Sequence, residues 1–270
     1  MLLATLVAQQ SLNNGITSDG ALYFAHLRSV VFDGDLDIGP EIAALGQPAR
    51  PHHVVPIGPA IVWAPAYLLV ASGDWSGAAA GMWTRPAGVA LGLGRWYIQA
   101  AFLSSWLAMA AGLVVLHFRL RREFGGAIAL LTCALTLGAT TLAWYVIYEP
   151  SMTHAVSFGV VAAALILTER WFVDRPPSWR HAVFLGMCFS LVMVVRPEDG
   201  VYLVFPLAAL LFAPAFRDAP VRARLRLAGT TLIGAAPLIL LQKMSWRDVG
   251  SVFADSACSA FNVVTSIAAV

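Results

Sequence analysis

The sequence predicts an all-α, polytopic membrane helical bundle with a long extracytoplasmic first loop, and three observations predict it. Hydrophobic residues make up 59% of the chain and charged residues only 12%, with a mean hydropathy of +0.74, beyond the usual range of soluble domains. Apolar runs of helix length recur, separated by connections rich in arginine. Acidic residues, by contrast, gather near the front, with Asp19, Asp33, Asp35, Asp37 and Glu41 inside one short stretch. A net charge of +2 offers no basic field for nucleic acid, which is excluded as a partner. Cys133, Cys188 and Cys258 are scattered, so neither a disulfide nor a metal–thiolate site is expected.

Taken in order, residues 1–8 are apolar but lack a charged n-region and a small-residue cleavage site, and they read as the end of a first membrane helix. Residues 9–95 form the outer loop. Within it, Ser18 or Asp19 suits an N-cap, and residues 20–32 have helical periodicity with Tyr23, Leu27, Val30 and Val31 as an apolar stripe. Asp19, His26 and Asp33 recur every seven residues and would line one face of such a helix. The run Asp33-Gly34-Asp35-Leu36-Asp37 reads as a turn. Hard oxygen ligands there would suit a divalent metal, but the loop lacks the Gly and Glu spacing of an EF-hand, and no metal or other cofactor is expected.

Residues 56–70 are apolar yet interrupted by Pro56, Pro59 and Pro65. They read as a juxtamembrane or re-entrant helix on the outer face, with Trp63 and Tyr67 as interface anchors. Residues 96–242 hold about six spans: 96–118, 125–144, 155–173, 182–195, 201–216 and 228–241. A bilayer core of roughly 30 Å needs about 20 helical residues, so the later, shorter runs must borrow flanking residues, with Arg180, Arg196 and Arg226 snorkelling. Residues 243–270 form an outer-face or atypical tail. The connections 119–123, 169–180 and 217–226 together carry ten arginines and four acids, whereas the rest of the chain carries seven basic residues and eleven acids. The positive-inside rule therefore places those connections in the cytoplasm, and the acidic loop, residues 145–154 and residues 196–200 outside.

On this chain, Asp19-Gly20 ahead of Tyr23, then Leu27-Arg28-Ser29 and Phe32-Asp33-Gly34-Asp35-Leu36-Asp37 with Glu41, are followed by Pro56-Ile57-Gly58-Pro59-Ala60 and Trp63-Ala64-Pro65. With Arg119 to Phe124, Tyr148-Glu149-Pro150-Ser151-Met152-Thr153-His154 and Arg196-Pro197, this order resembles the polytopic GT-C superfamily of membrane glycosyltransferases. The nearest likeness is to bacterial relatives of protein mannosyltransferases and lipid A aminoarabinose transferases. The resemblance spans residues 11–200 and implies a multi-pass protein of the bacterial inner membrane. It would move a sugar from a polyprenyl-phosphate donor to a hydroxyl of a lipid, glycan or protein acceptor at the outer face, with inversion.

Asp19 stands where that family has its catalytic acidic residue, as general base for the acceptor hydroxyl. The departing lipid phosphate is a stable anion, so a cation matters more than a general acid. Arg196 is the first candidate for that cation, with a snorkelling interface residue as the structural alternative, and Arg28 the second. Glu149 is assigned to holding acceptor or sugar, with a helix-entry carboxylate as its alternative; His154, with a structural role as its alternative, and Glu41 are supporting, substrate-binding residues. His52-His53 is a weaker signal. The chain departs from the family by an apparent truncation at both ends. A non-catalytic fragment or membrane scaffold is the rival reading, and a transporter segment a weaker one, because the spans carry almost no ionisable residues at mid-depth.

Overall fold

A computed structural model describes residue 16 and residues 18–46, 55–79, 91–173, 178–212 and 220–245, and these are helical without a strand among the described residues. The tail and the His52-His53 pair lie almost wholly or wholly outside them, as does the 1–8 remnant. The helices are α1 (Ser18–Arg28), α2 (Gly39–Ala44), α3 (Gly58–Ala79), α4 (Arg95–Phe124), α5 (Gly126–Gly138) and α6 (Leu142–Ile147). They continue with α7 (Thr153–Thr168), α8 (Trp179–Val195), α9 (Val204–Phe212) and α10 (Val221–Ser245). Two of them, α4 and α10, are long and apolar enough to cross a membrane; α5 and α8 are shorter apolar helices.

The described residues of the predicted apolar runs are helical in the main, with instructive differences in detail, and residues 213–216 lie outside them. The 125–144 run is two helices, because α5 ends at Gly138 and the Thr140 hydroxyl accepts from the Leu142 amide to start α6. The 201–216 run opens as a 3₁₀ segment, Pro197–Leu203, before α9. After α1 the chain widens into a π-turn, Ser29–Asp33, which is closed by Gly34 at φ 75° with its amide bonded to the Ser29 carbonyl. That extra residue per turn breaks the expected heptad line. His26 is buried while Asp33 is exposed, and the predicted apolar stripe fails at Val30, which faces outward.

Contacts fix the relative directions of α4, α7, α8 and α10. Gly112 of α4 lies on Gly159 of α7, the Arg119 guanidinium pairs with Glu169 just after α7, and so α4 and α7 run the same way. The end of α8 meets the start of α7, where Arg196 bonds His154 and Asp199 accepts from Ser157. Hence α8 is antiparallel to α7. Helix α10 crosses α8 with Gly186 on Thr231 and Gly234 on Val183, and it ends with Gln242 bonded to the Ile57 amide and Val55 carbonyl. Gly58 in turn sits on Val194–Val195, so α10 and α8 finish at the same end. At each of these crossings a glycine lets backbones touch, which gains dispersion contacts. Arg119, Arg122, Arg170 and Arg180 consequently share one end of the bundle, and Asp19, Glu149, Glu198 and Asp199 the other.

The predicted outer helix is longer than expected, running to Ala79. Its aromatic residues correct the sequence reading: Trp63 and Tyr67 are fully buried and are core residues, not interface anchors. The Trp63 indole donates to Ser105 Oγ at 2.9 Å, and the Tyr67 hydroxyl donates to the Gly92 carbonyl at 2.9 Å. Around them Tyr23, Phe24, Phe32 and Tyr97 form edge-to-face or tilted pairs. This aromatic core holds α1 against α3 and α4. Gly92, at φ 84°, could carry no side chain without striking Tyr67 and Phe32. It is a turn glycine.

Candidate functional site

Three segments far apart in sequence converge at the acidic end. The first is the start of α1. Ser18 adopts φ 54° and leads into Asp19, which is half-buried on the first turn, a position where the helix dipole favours a carboxylate. Gly20 then lies directly on Ser151: a β-carbon there would stand 2.5 Å from Ser151 Cβ. The second segment is the turn 149–153, closed by the Met152 amide donating to the Glu149 carbonyl at 2.9 Å, which leads into α7. The third is Arg196 to Asp199, where the Asp199 amide bonds the Arg196 carbonyl at 3.0 Å.

Tyr23 joins all three. Its hydroxyl contacts Thr153 and lies in the field of Asp19, Glu198 and Arg196; burial, with Asp19 adding to it, pushes the phenol up to about 12. Tyr23 therefore stays a neutral donor at physiological pH. Arg196 Nη1 is 3.1 Å from His154 Nδ1. A guanidinium only donates, so Nδ1 accepts, the imidazole is neutral and its proton is on Nε2. Tyr145 stacks on the same imidazole, with centroids 3.6 Å apart and planes at 15°. Glu198 is 3.9 Å from Arg196 Nε but mostly exposed, a weak partner. Arg196 thus presents a guanidinium held from one side by a neutral histidine.

The site residues expected from sequence fall into two groups. Asp19, Glu149, His154 and Arg196 gather here. Arg28 and Glu41 do not: they meet each other at the far end of α1, where Arg28 Nη1 donates to Glu41 Oε1 at 2.6 Å, also pairs with Asp33, and Nε donates to the Leu91 carbonyl. Glu41 is almost fully buried, and burial raises its carboxyl above the usual range despite the Arg28 bond, with Asp33 beside it adding to the rise. The remaining aspartates shape the turn. Ser29 donates to Asp35 Oδ1 at 2.6 Å, the Asp37 amide also bonds Asp35 Oδ1, and the Gly39 amide bonds Asp37 Oδ1. Among the described residues, no group of three His, Cys, Asp or Glu side chains is arranged to hold a metal ion.

Tyr23, Ser151, Thr153, Ser157 and Asp199 belong to this junction and were not singled out from sequence. The usable signal was small polar residues at the head of an apolar run, Ser151, Thr153 and Ser157, facing an acidic pair, Glu198-Asp199.

No family model, curated protein or solved structure matches the chain. The chemistry of the junction is therefore its own witness: a half-buried carboxylate, a neutral phenol and a cation meet where the first loop closes on the bundle. Such a set can take a proton from a hydroxyl and hold an anion beside it.

Proposed function

We propose that this chain is a multi-pass glycosyltransferase of the bacterial inner membrane, of GT-C type. In this reading it transfers a sugar at the outer face from a polyprenyl-phosphate donor to a hydroxyl of a lipid, glycan or protein acceptor. The observation that carries the reading is the convergence of Asp19, Tyr23 and Arg196 at the end of the bundle opposite its arginine cluster. Support also comes from α4 and α10, which have span length, and from the opposed directions of α7 and α8, which suit a chain that crosses a bilayer more than once.

Asp19 takes the proton of the acceptor hydroxyl as that oxygen forms its bond to the anomeric carbon from the face opposite the phosphate, and the configuration inverts. The bond between the anomeric carbon and the phosphate oxygen breaks, leaving polyprenyl phosphate, whose charge Arg196 offsets. Tyr23 donates a hydrogen bond within the same junction. His154 and Tyr145 fix the guanidinium plane, and Glu149 stands on the turn beside them. Arg28 and Glu41 act at a distance, anchoring α1 through their ion pair.

Membranes carrying Asp19→Asn are expected to lose transfer from a polyprenyl-phosphate sugar by about 100-fold or more, with insertion unchanged. Full transfer by a correctly inserted Asp19→Asn protein would remove Asp19 from this role. No donor-dependent turnover by the wild-type chain would favour a scaffold.

A further inference from the structure

At the arginine-rich end, opposite the proposed transfer site, a cavity of about 900 Å³ opens between the end of α4, the end of α7 with its following π-turn, and the start of α8. Its floor is apolar, with Val115, Phe118 and Ile166; its rim carries Arg119, Arg122 and Arg170. Arg119 is committed to two carboxylates, Glu123 and Glu169. No carboxylate among the described residues pairs with Arg122 or Arg170, and both side chains are exposed on the rim. Trp171, stacked on His181 with centroids 4.6 Å apart, lines the wall.

We propose that this cavity binds the headgroup phosphate of an anionic phospholipid of the cytoplasmic leaflet, with its acyl chains on the floor. A soluble anion would need the cations but not the floor. The volume is several times what a phosphate fills, and the apolar side continues onto exposed Phe118 on α4, one of the two helices of span length. A zwitterionic lipid would match the floor but sets a cationic group beside its phosphate, which Arg122 and Arg170, with no carboxylate partner among the described residues, would repel. Glu123 and Glu169 sharpen the site: their two charges outweigh that of Arg119, so the net positive charge of the lining comes from Arg122 and Arg170. Trp171 supplies the amphipathic ring that favours the headgroup level. The inference rests on the membrane reading and is independent of glycosyl transfer.

The test uses the purified full chain in detergent micelles, titrated with phosphatidylglycerol, phosphatidylcholine or inorganic phosphate. Lipid retention is read by native mass spectrometry and thermal unfolding is followed in parallel. Phosphatidylglycerol is expected to be retained and to raise the unfolding temperature, and phosphatidylcholine and inorganic phosphate to do neither. Each arginine removed near an anionic lipid is expected to weaken binding about fivefold. Arg122→Gln/Arg170→Gln should therefore lose about 25-fold, while Arg95→Gln at the opposite end changes nothing. Because both arginines are exposed, the fold should tolerate the change. The single variants and the Arg122→Lys/Arg170→Lys pair, which keeps the charge, give the same ranking if the double variant is unstable. Equal retention of phosphatidylcholine, undiminished phosphatidylglycerol binding by the Gln variants, or an equal effect of inorganic phosphate would each overturn the proposal.

Discussion

Replacing Gly20 with alanine is the sharpest test of how the first loop meets the bundle. Inside a helix this change ordinarily stabilises by about 0.5–1 kcal/mol, because glycine loses more backbone freedom on folding. Here the new methyl would stand 2.5 Å from Ser151 Cβ and also strike Ser151 Oγ, against about 3.4 Å for an ordinary contact. Ser151 is buried and cannot swing into solvent, so α1 must retreat by about 1 Å. Overpacking of this kind costs about 1–3 kcal/mol, which reverses the usual sign. A shift of about 1 Å at a reacting group costs about 100-fold in rate, so transfer should fall with stability. Ser151→Gly removes both offending atoms and leaves only the Ser151 carbonyl, at 3.1 Å. The double variant Gly20→Ala/Ser151→Gly should therefore recover most of both losses. Thermal unfolding in detergent and transfer in membrane vesicles read the two effects. A Gly20→Ala protein as stable as the wild type, or a double variant no better than Gly20→Ala alone, would show that α1 is not seated on the 149–153 turn.

Other outcomes follow from features already described. Burial raises the Glu41 carboxyl in the folded chain, so its favourable contribution is complete below the carboxyl's unfolded pKa and is lost as pH rises through the higher folded value. Glu41→Gln should therefore gain in unfolding temperature relative to the wild type as pH is raised from the acid side, and a difference independent of pH would contradict the assignment. Leucine at Gly186 or Gly234 places side-chain carbon on the partner's backbone, 2.9 Å from the Thr231 carbonyl carbon or 2.7 Å from that of Val183. Either change is expected to cost about 3 kcal/mol or more and to abolish a monodisperse peak in size-exclusion chromatography, whereas Gly229→Ala, with open space around it, should not.

The apolar runs were legible because helix length and proline or arginine punctuation are local properties. The breaks inside them were less so. The separation of α5 from α6 depends on one Thr140 hydroxyl bond, and the π-turn after Arg28 depends on Gly34 reaching a left-handed conformation. Neither alters the hydrophobic count. Trp63 and Tyr67 were misread because amphipathic aromatic residues suit an interface and a polar-lined core equally well. Only the partners Ser105 and the Gly92 carbonyl, brought by α4 and by the turn before it, decide between the two.

For the site, the family resemblance pointed to Asp19, His154 and Arg196, and the fold brings them to one junction. Arg28 and Glu41 have the same chemistry and a different address, because nine residues of helix at 1.5 Å each carry Arg28 about 13 Å from Asp19. Tyr23 was invisible as a site residue because a tyrosine on an apolar stripe has no local mark of polar company. Its neighbours Thr153, Glu198 and Arg196 come from other helices.

Gly58 opens α3 by resting on the main chain of Val194 and Val195, the two residues that precede Arg196. Main chain pressed on main chain has no rotamers with which to absorb a displacement. A shift of the start of α3 must therefore move the main chain just ahead of Arg196, or be held back by Gln242, which bonds the residues just ahead of Gly58.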